Sequence, residues 1–520
     1  MGSQEGIFVR TSKNFESDRR TFLKQTAGGA AALAALAAGA SPKAAEGASP
    51  NPGKEAYAYP IGFGAWINDL RNTPLPVQNW PAPQFDEATI EGAVRAMDVM
   101  SEAGFRYLDA FGLWATGDYP PDIVSAFNDK ARHERLARVF DAARQRNIGM
   151  ILPLGLFTWG YDRIIQEDPA VRGKDQDGNP HPHAMCGAQE RSWGYIEKLI
   201  DTAMTQFDFA GVHMESADLG YCMCPQCAGK DGAVGYNCRL NTRAADYIKA
   251  RWPKLLVYTI PINWVPWKLN EQGTQQQFSR EEFECVRELS KHIDVFMDQG
   301  HRGNYTPPEW IKELQCAYGT SGGLWVYHSV RMNRLSYLLP YPKRACQLIR
   351  RDYERGARAC LNYQGPMINP AVELNSAVSG RILNNVTRDP AEIIAEVMEK
   401  YYEPRTADAA KLLADIYGRI EDGYFGRWNP DAIKKAHNLD VPGEFSGWGL
   451  FGEEPEVPGH FNEPFLDKAG RAAYKDELVG CLRDLDKIRE KLGAKERVDR
   501  LTDALLLSVQ FLKTYIALKG

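Results

Sequence analysis

The sequence predicts a (β/α)8 TIM barrel followed by a C-terminal α-helical domain. Three observations lead to this fold class. Short apolar segments alternate with amphipathic helical segments, eight such units follow one another, and the strand pattern stops near residue 385. Apolar strands that are each followed by a helix indicate a parallel sheet covered on both faces. No G-x-G-x-x-G follows the first strand and no P-loop is present, which disfavours a doubly wound nucleotide-binding sheet.

The eight predicted strands are short, and helices with a regular apolar periodicity separate them. Ile196, Leu199 and Ala203, for example, recur at helical spacing between the third and fourth strands. The predicted strands are 59–66, 106–111, 149–154, 211–214, 255–260, 295–297, 324–327 and 360–362. We therefore assign residues 57–385 to the barrel.

The part of the chain beyond the barrel reads as helical. Its predicted helices are 391–402, 407–424, 467–492 and 497–518, and loops rich in Pro, Gly and Trp lie between the second and the third. We assign residues 386–520 to a C-terminal helical domain. Its apolar stripes have the spacing of a helical core.

Residues 1–40 have the pattern of a twin-arginine signal peptide. Arg19 and Arg20 lie in the sequence SDRRTFLK, an Ala-, Leu- and Gly-rich run follows at 27–40, and AGA at 38–40 is a small-x-small cleavage site. The alternative is a helix N-terminus with a chance arginine pair. The apolar run is too short for a good membrane span. We assign residues 41–56 to a linker. We expect the protein to be periplasmic or secreted, and to have no stable membrane span once the signal peptide is removed.

The net charge and the aromatic content indicate which kinds of molecule the protein binds. The net charge is −5 and no block of Lys or Arg stands out, so no nucleic-acid partner is expected. Aromatic residues make up 11% of the chain, which favours a ligand with flat apolar faces, and buried core aromatics are the alternative. We expect no organic cofactor.

Acidic and aromatic residues recur where the predicted strands end, which is where a barrel places its chemistry. Glycosidic cleavage needs two carboxyl groups, and sugars offer C–H faces to aromatic rings. Glu215, directly after an apolar strand, is the predicted general acid, and Asp298 its predicted partner. The predicted substrate contacts are Asp109, Trp66, Trp114, Trp159, Asn263, Trp264, His301, Tyr327, His328 and Arg331.

Each of these predictions has a structural alternative. Glu215 could form an ion pair at the rim, and Asp298 could cap its loop. Asp109 could bind hydroxyl groups without taking part in the chemistry. His213, on the same apolar strand as Glu215, fits a core histidine. The tryptophans, taken one by one, fit core packing.

Four cysteines follow Glu215 closely, with the spacing C-x-C-x2-C-x10-C. Such a set can supply a closed tetrahedral thiolate site for one structural zinc ion, which would brace the loop after the fourth strand. Two disulfides and a redox C-x-x-C are the alternatives. The predicted ligands are Cys222, Cys224, Cys227 and Cys238.

The stretch 211–218 (GVHMESAD), running into the cysteines, resembles the fourth-strand region of barrel glycoside hydrolases related to α-glucuronidases and endo-β-N-acetylglucosaminidases. A second similarity covers 373–375, 381–385, 388–390 and 401–402, where those families pass from the last barrel strand into a helical domain. The resemblance implies a (β/α)8 glycosidase with Glu215 as the acid of the fourth strand.

These observations together predict an exported glycoside hydrolase that acts on a carbohydrate substrate. A non-catalytic carbohydrate-binding protein on the same scaffold is the alternative. A thiol oxidoreductase is a third hypothesis, but Cys224 and Cys227 lie in no thioredoxin-like βαβ pattern.

Overall fold

Eight parallel strands close into a barrel in this computed structural model. The structure describes residues 55–72, 85–113, 129–158, 160–217, 219–229, 231–265, 277–298, 305–321, 338–427 and 468–519. The described strands are β1 (Tyr59–Trp66), β2 (Tyr107–Phe111), β3 (Gly149–Leu154), β4 (Arg172–Lys174), β5 (Pro180–Met185), β6 (Gly211–Glu215), β7 (Leu256–Ile260), β8 (Val295–Asp298), β9 (Ala317–Ser321) and β10 (Ala359–Tyr363). All but β4 and β5 belong to the barrel.

Hydrogen bonding between the first and last strands closes the barrel. Ile61 of β1 is in register with Tyr107 of β2 on one side and with Leu361 of β10 on the other. The remaining order is β10, β9, β8, β7, β6, β3 and β2, with parallel pairing throughout. The predicted (β/α)8 barrel is therefore confirmed.

The strands β4 and β5 form an antiparallel hairpin inserted between β3 and β6. The hairpin follows the carboxyl end of β3, so it lies on the face of the barrel where the loops carry function. The amide of Met185, its last strand residue, donates to the carbonyl of Phe157 in the loop after β3. Phe157 has a φ of 70°, an unusual conformation for a bulky residue that the surrounding contacts must hold in place.

Thirteen α-helices lie within the described residues. They are α1 (Glu87–Ala103), α2 (Lys130–Gln145), α3 (Asp162–Glu167), α4 (Glu190–Gln206), α5 (Pro225–Ala228), α6 (Gly232–Arg251), α7 (Arg280–Leu289), α8 (Pro342–Glu354), α9 (Pro370–Leu383), α10 (Pro390–Tyr402), α11 (Ala407–Phe425), α12 (Lys468–Ile488) and α13 (Lys495–Lys519). None of the helices in this described part of the chain is long and apolar enough to cross a membrane.

Local sequence explains where several helices begin. Asp86 precedes α1 and its carboxylate accepts the amide of Thr89, while Ser279 and Glu282 form a reciprocal capping box at the start of α7. Helices α8, α9 and α10 each begin with proline, which has no amide to leave unpaired in the first turn.

The barrel interior is filled by alternate residues of its strands. Ile61 of β1, Tyr258 of β7 and Met297 of β8 belong to one buried cluster, and residues of the same parity from β3 and β10 join it. The intervening residues face the helices: the hydroxyl of Thr320 on β9, for instance, donates to Asp352 on α8. This alternation decides which strand-end side chains can meet at the mouth.

The seventh barrel strand differs from its prediction. Ala317–Ser321 occupies this position and pairs with β8 and β10. The predicted segment 324–327 lies outside the described residues. The sequence AYGTS resembles a turn because Gly, Thr and Ser dominate it, but burial between two strands makes it part of the sheet.

The C-terminal helices agree with the sequence prediction, since α10 to α13 begin and end within a few residues of the predicted bounds. Ion pairs between α9 and α13 join the C-terminal helices to the barrel. Glu373 on α9, which is 2% exposed, accepts hydrogen bonds from Arg497 and Arg500 of α13. Glu373 therefore has a structural role at this junction, and a buried carboxylate of this kind needs both partners.

Candidate active site

Glu215 is the last residue of β6, and it faces the barrel interior. Along β6, Gly211, His213 and Glu215 share one parity, and His213 stacks on Tyr258 of the interior cluster with ring centroids 4.9 Å apart. Glu215 is 4% exposed. A carboxyl group thus lies at the carboxyl end of a barrel strand, in the position that the sequence predicts for the acid.

Behind Glu215 lies a buried polar group made by Asp109, His213 and Tyr258. The Nδ1 atom of His213 is 2.8 Å from Oδ2 of Asp109, and the Tyr258 hydroxyl donates to the same oxygen. On the far side of the ring, Nε2 of His213 is 3.9 Å from Oε2 of Glu215. One imidazole therefore separates the two carboxylates.

The register of the sheet places Asp109 deeper in the barrel than Glu215. Asp109 is level with Ile151 of β3, which is level with Gly211 at the start of β6. The side chains of Asp109 and His213 are both fully buried. The structure therefore places Asp109, predicted as a substrate contact, in the middle of the barrel interior, with its carboxylate against His213.

Burial and charge in this group keep the Tyr258 hydroxyl protonated and favour one tautomer of His213. Burial, and then the negative charge of Asp109, raises the pKa of Tyr258 well above its ordinary value, so the phenol stays protonated and keeps donating. A carboxylate beside Nδ1 favours the imidazole tautomer with the proton on Nδ1. The unprotonated Nε2 of that tautomer is then the atom that faces Glu215.

A second set of hydrogen bonds holds the end of β6 from the helix side. The side chain of Asn241 on α6 donates to the hydroxyl of Ser216, and it accepts from Thr259 of β7. The same Thr259 hydroxyl is also 3.0 Å from the carbonyl oxygen of Met214. Because both residues that flank Glu215 are held in this way, the position of the carboxylate is set by the scaffold.

Asp298, the predicted partner of Glu215, lies on the other face of the sheet. It is in register with Thr320, which faces α8, whereas its neighbour Met297 is part of the interior cluster. Its carboxylate accepts the amides of Tyr305 and Thr306 and the hydroxyl of Tyr318. This is the loop cap that the sequence left open as the alternative. Burial raises the pKa of the Asp298 carboxyl, and these hydrogen bonds oppose the rise.

Trp264, a predicted substrate contact, belongs to the core. It is 1% exposed, its indole nitrogen donates to Ser216, and its ring packs edge-on against Phe296 on the helix side of β8. Asn263 lies in the turn after β7, half-buried, with a φ of 59° that asparagine tolerates well.

The remaining predicted contacts cannot be compared with the structure side chain by side chain. Trp66 is the last residue of β1. Those that lie outside the described residues are Trp114, Trp159, His301, Tyr327, His328 and Arg331.

Four cysteines converge beside the hairpin, and we call them the thiol cluster. Its members are Cys186, Cys222, Cys224 and Cys227, and their sulfur atoms all lie within 4.8 Å of one another. All ten cysteines of the chain are free thiols in the structure. Contacts with its neighbours lower the pKa of the Cys222 thiol, first through Cys186 and then through Cys227. A four-cysteine group of this kind is suited to binding a metal ion.

The ligand set predicted from the sequence needs one correction: Cys186 takes the place of Cys238. Cys238 is buried on α6, two residues after Tyr236, whose hydroxyl lies against Cys227 and accepts from the amide of Gly187. Two residues turn an α-helix by about 200°, so Cys238 points away from the side that meets the cluster. Burial raises the pKa of the Cys238 thiol well above its ordinary value.

Cys186 and Tyr258 are two residues that the sequence analysis missed. Cys186 directly follows β5, and only the hairpin brings it to the other three cysteines. Tyr258 is in register with His213 on the neighbouring strand, so it faces the same side of the sheet as His213. Counting in twos back from Glu215 would have placed His213, and then Tyr258, in the interior.

No protein-family model matches the sequence, and no curated protein matches it. Solved structures match the fold. A GH138 enzyme described as targeting pectin rhamnogalacturonan II aligns with a TM-score of 0.51 at 11% identity, over 89% of this chain and 71% of that one. A GH89 enzyme from Clostridium perfringens, in complex with GlcNAc-α-1,4-galactose, aligns with a TM-score of 0.46 at 12% identity, over 89% of this chain and 50% of that one.

A GH36 α-galactosidase from Geobacillus stearothermophilus, in complex with raffinose, aligns with a TM-score of 0.37 at 12% identity, over 61% of this chain and 43% of that one. These structural neighbours are glycoside hydrolases. At such low identity, the likeness to the GH138 enzyme establishes the (β/α)8 fold, and the chemistry has to be argued from the site.

Proposed function

We propose that the protein is a glycoside hydrolase in which Glu215 is the general acid. The observation that carries the proposal is the position of Glu215, a nearly buried carboxyl group inside the barrel at the carboxyl end of β6, 3.9 Å from the imidazole of His213. A glycosidase needs a carboxylic acid there to protonate the leaving oxygen. The fold shared with glycoside hydrolases agrees with this assignment.

His213 and Asp109 are positioning residues in this mechanism. Asp109 lies 2.8 Å from Nδ1 of the ring and favours the proton there, so that the ring offers no N–H to Glu215 from Nε2, which is 3.9 Å from Oε2 of the acid. Phe111 packs edge-on against the ring at 5.4 Å and Tyr258 stacks on it, so the imidazole cannot swing away. No imidazole N–H therefore favours the carboxylate form of Glu215, which has to be protonated to act as the acid.

Because the Asp298 carboxylate caps a loop on the helix side, the proposal needs another candidate for the second carboxyl group of the reaction. We propose Asp69 for this role. Asp69 lies in the 3-10 turn that follows β1 and is 1% exposed. Its negative charge raises the pKa of the inward-facing Tyr363, and only burial raises that pKa more. It is thus a second acid at the carboxyl end of the barrel strands.

The test is a comparison of leaving groups. Glu215→Gln keeps the shape of the side chain but removes the transferable proton, so turnover of glycosides with poor leaving groups should fall by roughly 10²–10⁴. Nitrophenyl glycosides, which need little protonation, should lose less in the same step. Asp69→Asn should slow both substrate types, since a base or nucleophile is needed whatever leaves.

Suitable substrates are aryl glycosides together with pectic oligosaccharides, since the GH138 enzyme is described as targeting pectin rhamnogalacturonan II. Wild-type rates for Glu215→Gln on an unactivated glycoside would contradict the assignment. Sugar binding without turnover by the wild-type protein on the whole panel would favour the second candidate, a non-catalytic carbohydrate-binding protein. The closer relation to α-glucuronidases and endo-β-N-acetylglucosaminidases is part of this proposal, and glucuronides and N-acetylglucosaminides on the panel test it.

We also propose export by the twin-arginine route to the periplasm or outside. The support is the sequence alone, namely the arginine pair, the apolar run and the cleavage site in that order. Exchange of both Arg19 and Arg20 for lysine keeps the charge and removes the guanidinium pair. Precursor of this double variant should stay in the cytoplasm, and normal export of it would contradict the proposal.

A further inference from the structure

The thiol cluster joins two segments that are distant in the sequence. Cys186 follows the hairpin β4–β5, whereas the other three members of the cluster lie between Glu215 and the end of α5. Three of the four residues are buried and Cys224 is half-buried. None of them belongs to the polar group around Glu215, so the chemistry proposed for the barrel leaves the cluster unexplained.

Two sulfur–sulfur distances in the cluster match those of a tetrahedral site around one ion. The Sγ atom of Cys186 is 3.8 Å from that of Cys224 and 3.6 Å from that of Cys227. Four sulfurs at the usual zinc–sulfur distance of about 2.3 Å lie about 3.8 Å apart in tetrahedral geometry. Disulfide sulfurs would be separated by about 2.0 Å. The cluster is therefore shaped for coordination.

We propose that the thiol cluster binds one Zn²⁺ ion, and that this ion fastens the hairpin β4–β5 to the loop after Glu215. Thiolates are soft ligands, which select zinc over magnesium or calcium. Four protein ligands close the coordination shell, so the ion has a structural role and leaves no position for a substrate. Binding releases the protons of the cysteine thiols to the solvent, and no oxidation is involved.

The surrounding backbone supports this bridging role. The amide of Lys174 on β4 donates to Sγ of Cys222 at 3.3 Å, and the amide of Met223 donates to the carbonyl of Lys174 at 2.7 Å. An amide bond to a metal-bound sulfur stabilises its negative charge and orients it. These two hydrogen bonds hold the hairpin against the loop. The ion would add a further connection between the two segments, at Cys186.

Metal content of the purified full-length protein tests the proposal, with a matched pair of variants. Wild-type protein should contain about one zinc per chain. Cys186→Ser removes a ligand that the structure assigns, and its zinc after dialysis against a chelator should fall at least about fivefold. Cys238→Ser changes the buried cysteine that local spacing favours, and it should keep about one zinc per chain. Zinc lost from Cys238→Ser but kept by Cys186→Ser would overturn the ligand set.

A measurement on the unaltered protein covers the case in which Cys186→Ser fails to fold. Stepwise titration of the native protein with an organomercurial should release one zinc for about four thiols consumed. Cobalt loading should give the intense thiolate charge-transfer bands of a tetrahedral sulfur site. Native protein that contains no zinc and has disulfides among these cysteines would overturn the proposal. The result is independent of Glu215, because Glu215→Gln should contain as much zinc as the wild type.

Discussion

Nδ1 of His213 lies 2.8 Å from Oδ2 of Asp109 at the centre of the barrel, where neither side chain is exposed to solvent. The carboxylate of Asp109 favours the tautomer with the proton on Nδ1, and the other ring nitrogen is 3.9 Å from Oε2 of Glu215. An enzyme that uses Glu215 as its acid would therefore depend on Asp109, although the Asp109 side chain is fully buried.

The first prediction concerns Asp109→Asn. An asparagine can turn its amide toward Nδ1 and reverse the tautomer, so that an Nε2–H faces Glu215 and favours its carboxylate form. We expect kcat to fall by about 10²-fold and the alkaline limb of the pH profile of kcat/KM to move to lower pH. Tyr258→Phe is the control, since it removes one donor to Asp109 but leaves the imidazole contact, and its profile should shift less. An unchanged profile for Asp109→Asn would show that Asp109 only fills the core.

The second prediction separates a structural acid from a catalytic one. Asp298→Asn weakens a cap that accepts from Tyr305, Thr306 and Tyr318, and it should cost about 1–3 kcal/mol of stability. Thermal unfolding should shift to lower temperature, while kcat at a temperature where the variant is folded stays within about threefold of the wild type. A loss of about 10²-fold or more in kcat, with unchanged unfolding, would restore Asp298 as a catalytic residue.

These residues also show how far the sequence alone could be interpreted. The barrel, its strand order and the position of Glu215 follow from apolar strands that are each followed by a helix. Strand-end position alone wrongly grouped Asp298 with Glu215. Period-two alternation corrects this, because apolar Met297 faces inward and its neighbour must face outward. The sequence alone does not show which parity faces inward, because Val295, Phe296 and Met297 are all apolar.

The members of the thiol cluster could not be derived in the same way. The spacing of the cysteines in the loop after Glu215 is a local pattern, and it favours Cys238 as the fourth member. The fourth sulfur comes instead from Cys186, and its approach depends on how the hairpin folds back over the loop. That is a tertiary contact between distant segments, which no local spacing encodes. The seventh strand was misplaced for a related reason, because burial outweighs the weak strand propensity of AYGTS.

The third prediction is a pH dependence of stability at Asp352. This residue of α8 is 4% exposed and accepts from Thr320, and burial raises the pKa of its carboxyl, with Arg351 opposing the rise. The unfolded chain loses this proton at about pH 4, before the folded protein does, so the stability from this group falls as pH rises through the folded pKa. Asp352→Asn has no proton to lose and can still accept from Thr320.

The difference in unfolding temperature between Asp352→Asn and the wild type should therefore grow in favour of the variant from about pH 4 upward. Thermal scans in matched buffers at constant ionic strength measure it. Asp141→Asn, at an exposed acid of α2, is the control and should show no such trend. A difference that shrinks with rising pH would mean that the ion pair with Arg351 outweighs burial.

The last prediction concerns the close approach of the hairpin to the loop after Glu215. Gly173 lies on β4, and a Cβ atom there would sit 2.9 Å from the carbonyl oxygen of Ala184 and 2.9 Å from Cβ of Cys222. Both neighbours belong to well-packed backbone segments, so Gly173→Ala has to push β4 away from the loop. We expect a loss of about 1–3 kcal/mol in stability.

Displacement of β4 should also weaken zinc binding at the proposed site. Because the amide of Lys174 bonds Sγ of Cys222, moving β4 removes that hydrogen bond and spreads the cysteines. Zinc should leave Gly173→Ala faster than the wild type in a chelator-competition assay. Gly194→Ala is the matched control: a Cβ there meets nothing within 4 Å on α4, and the helix should gain slightly from alanine. Equal zinc release from both glycine variants would show that the hairpin and the thiol cluster are not coupled.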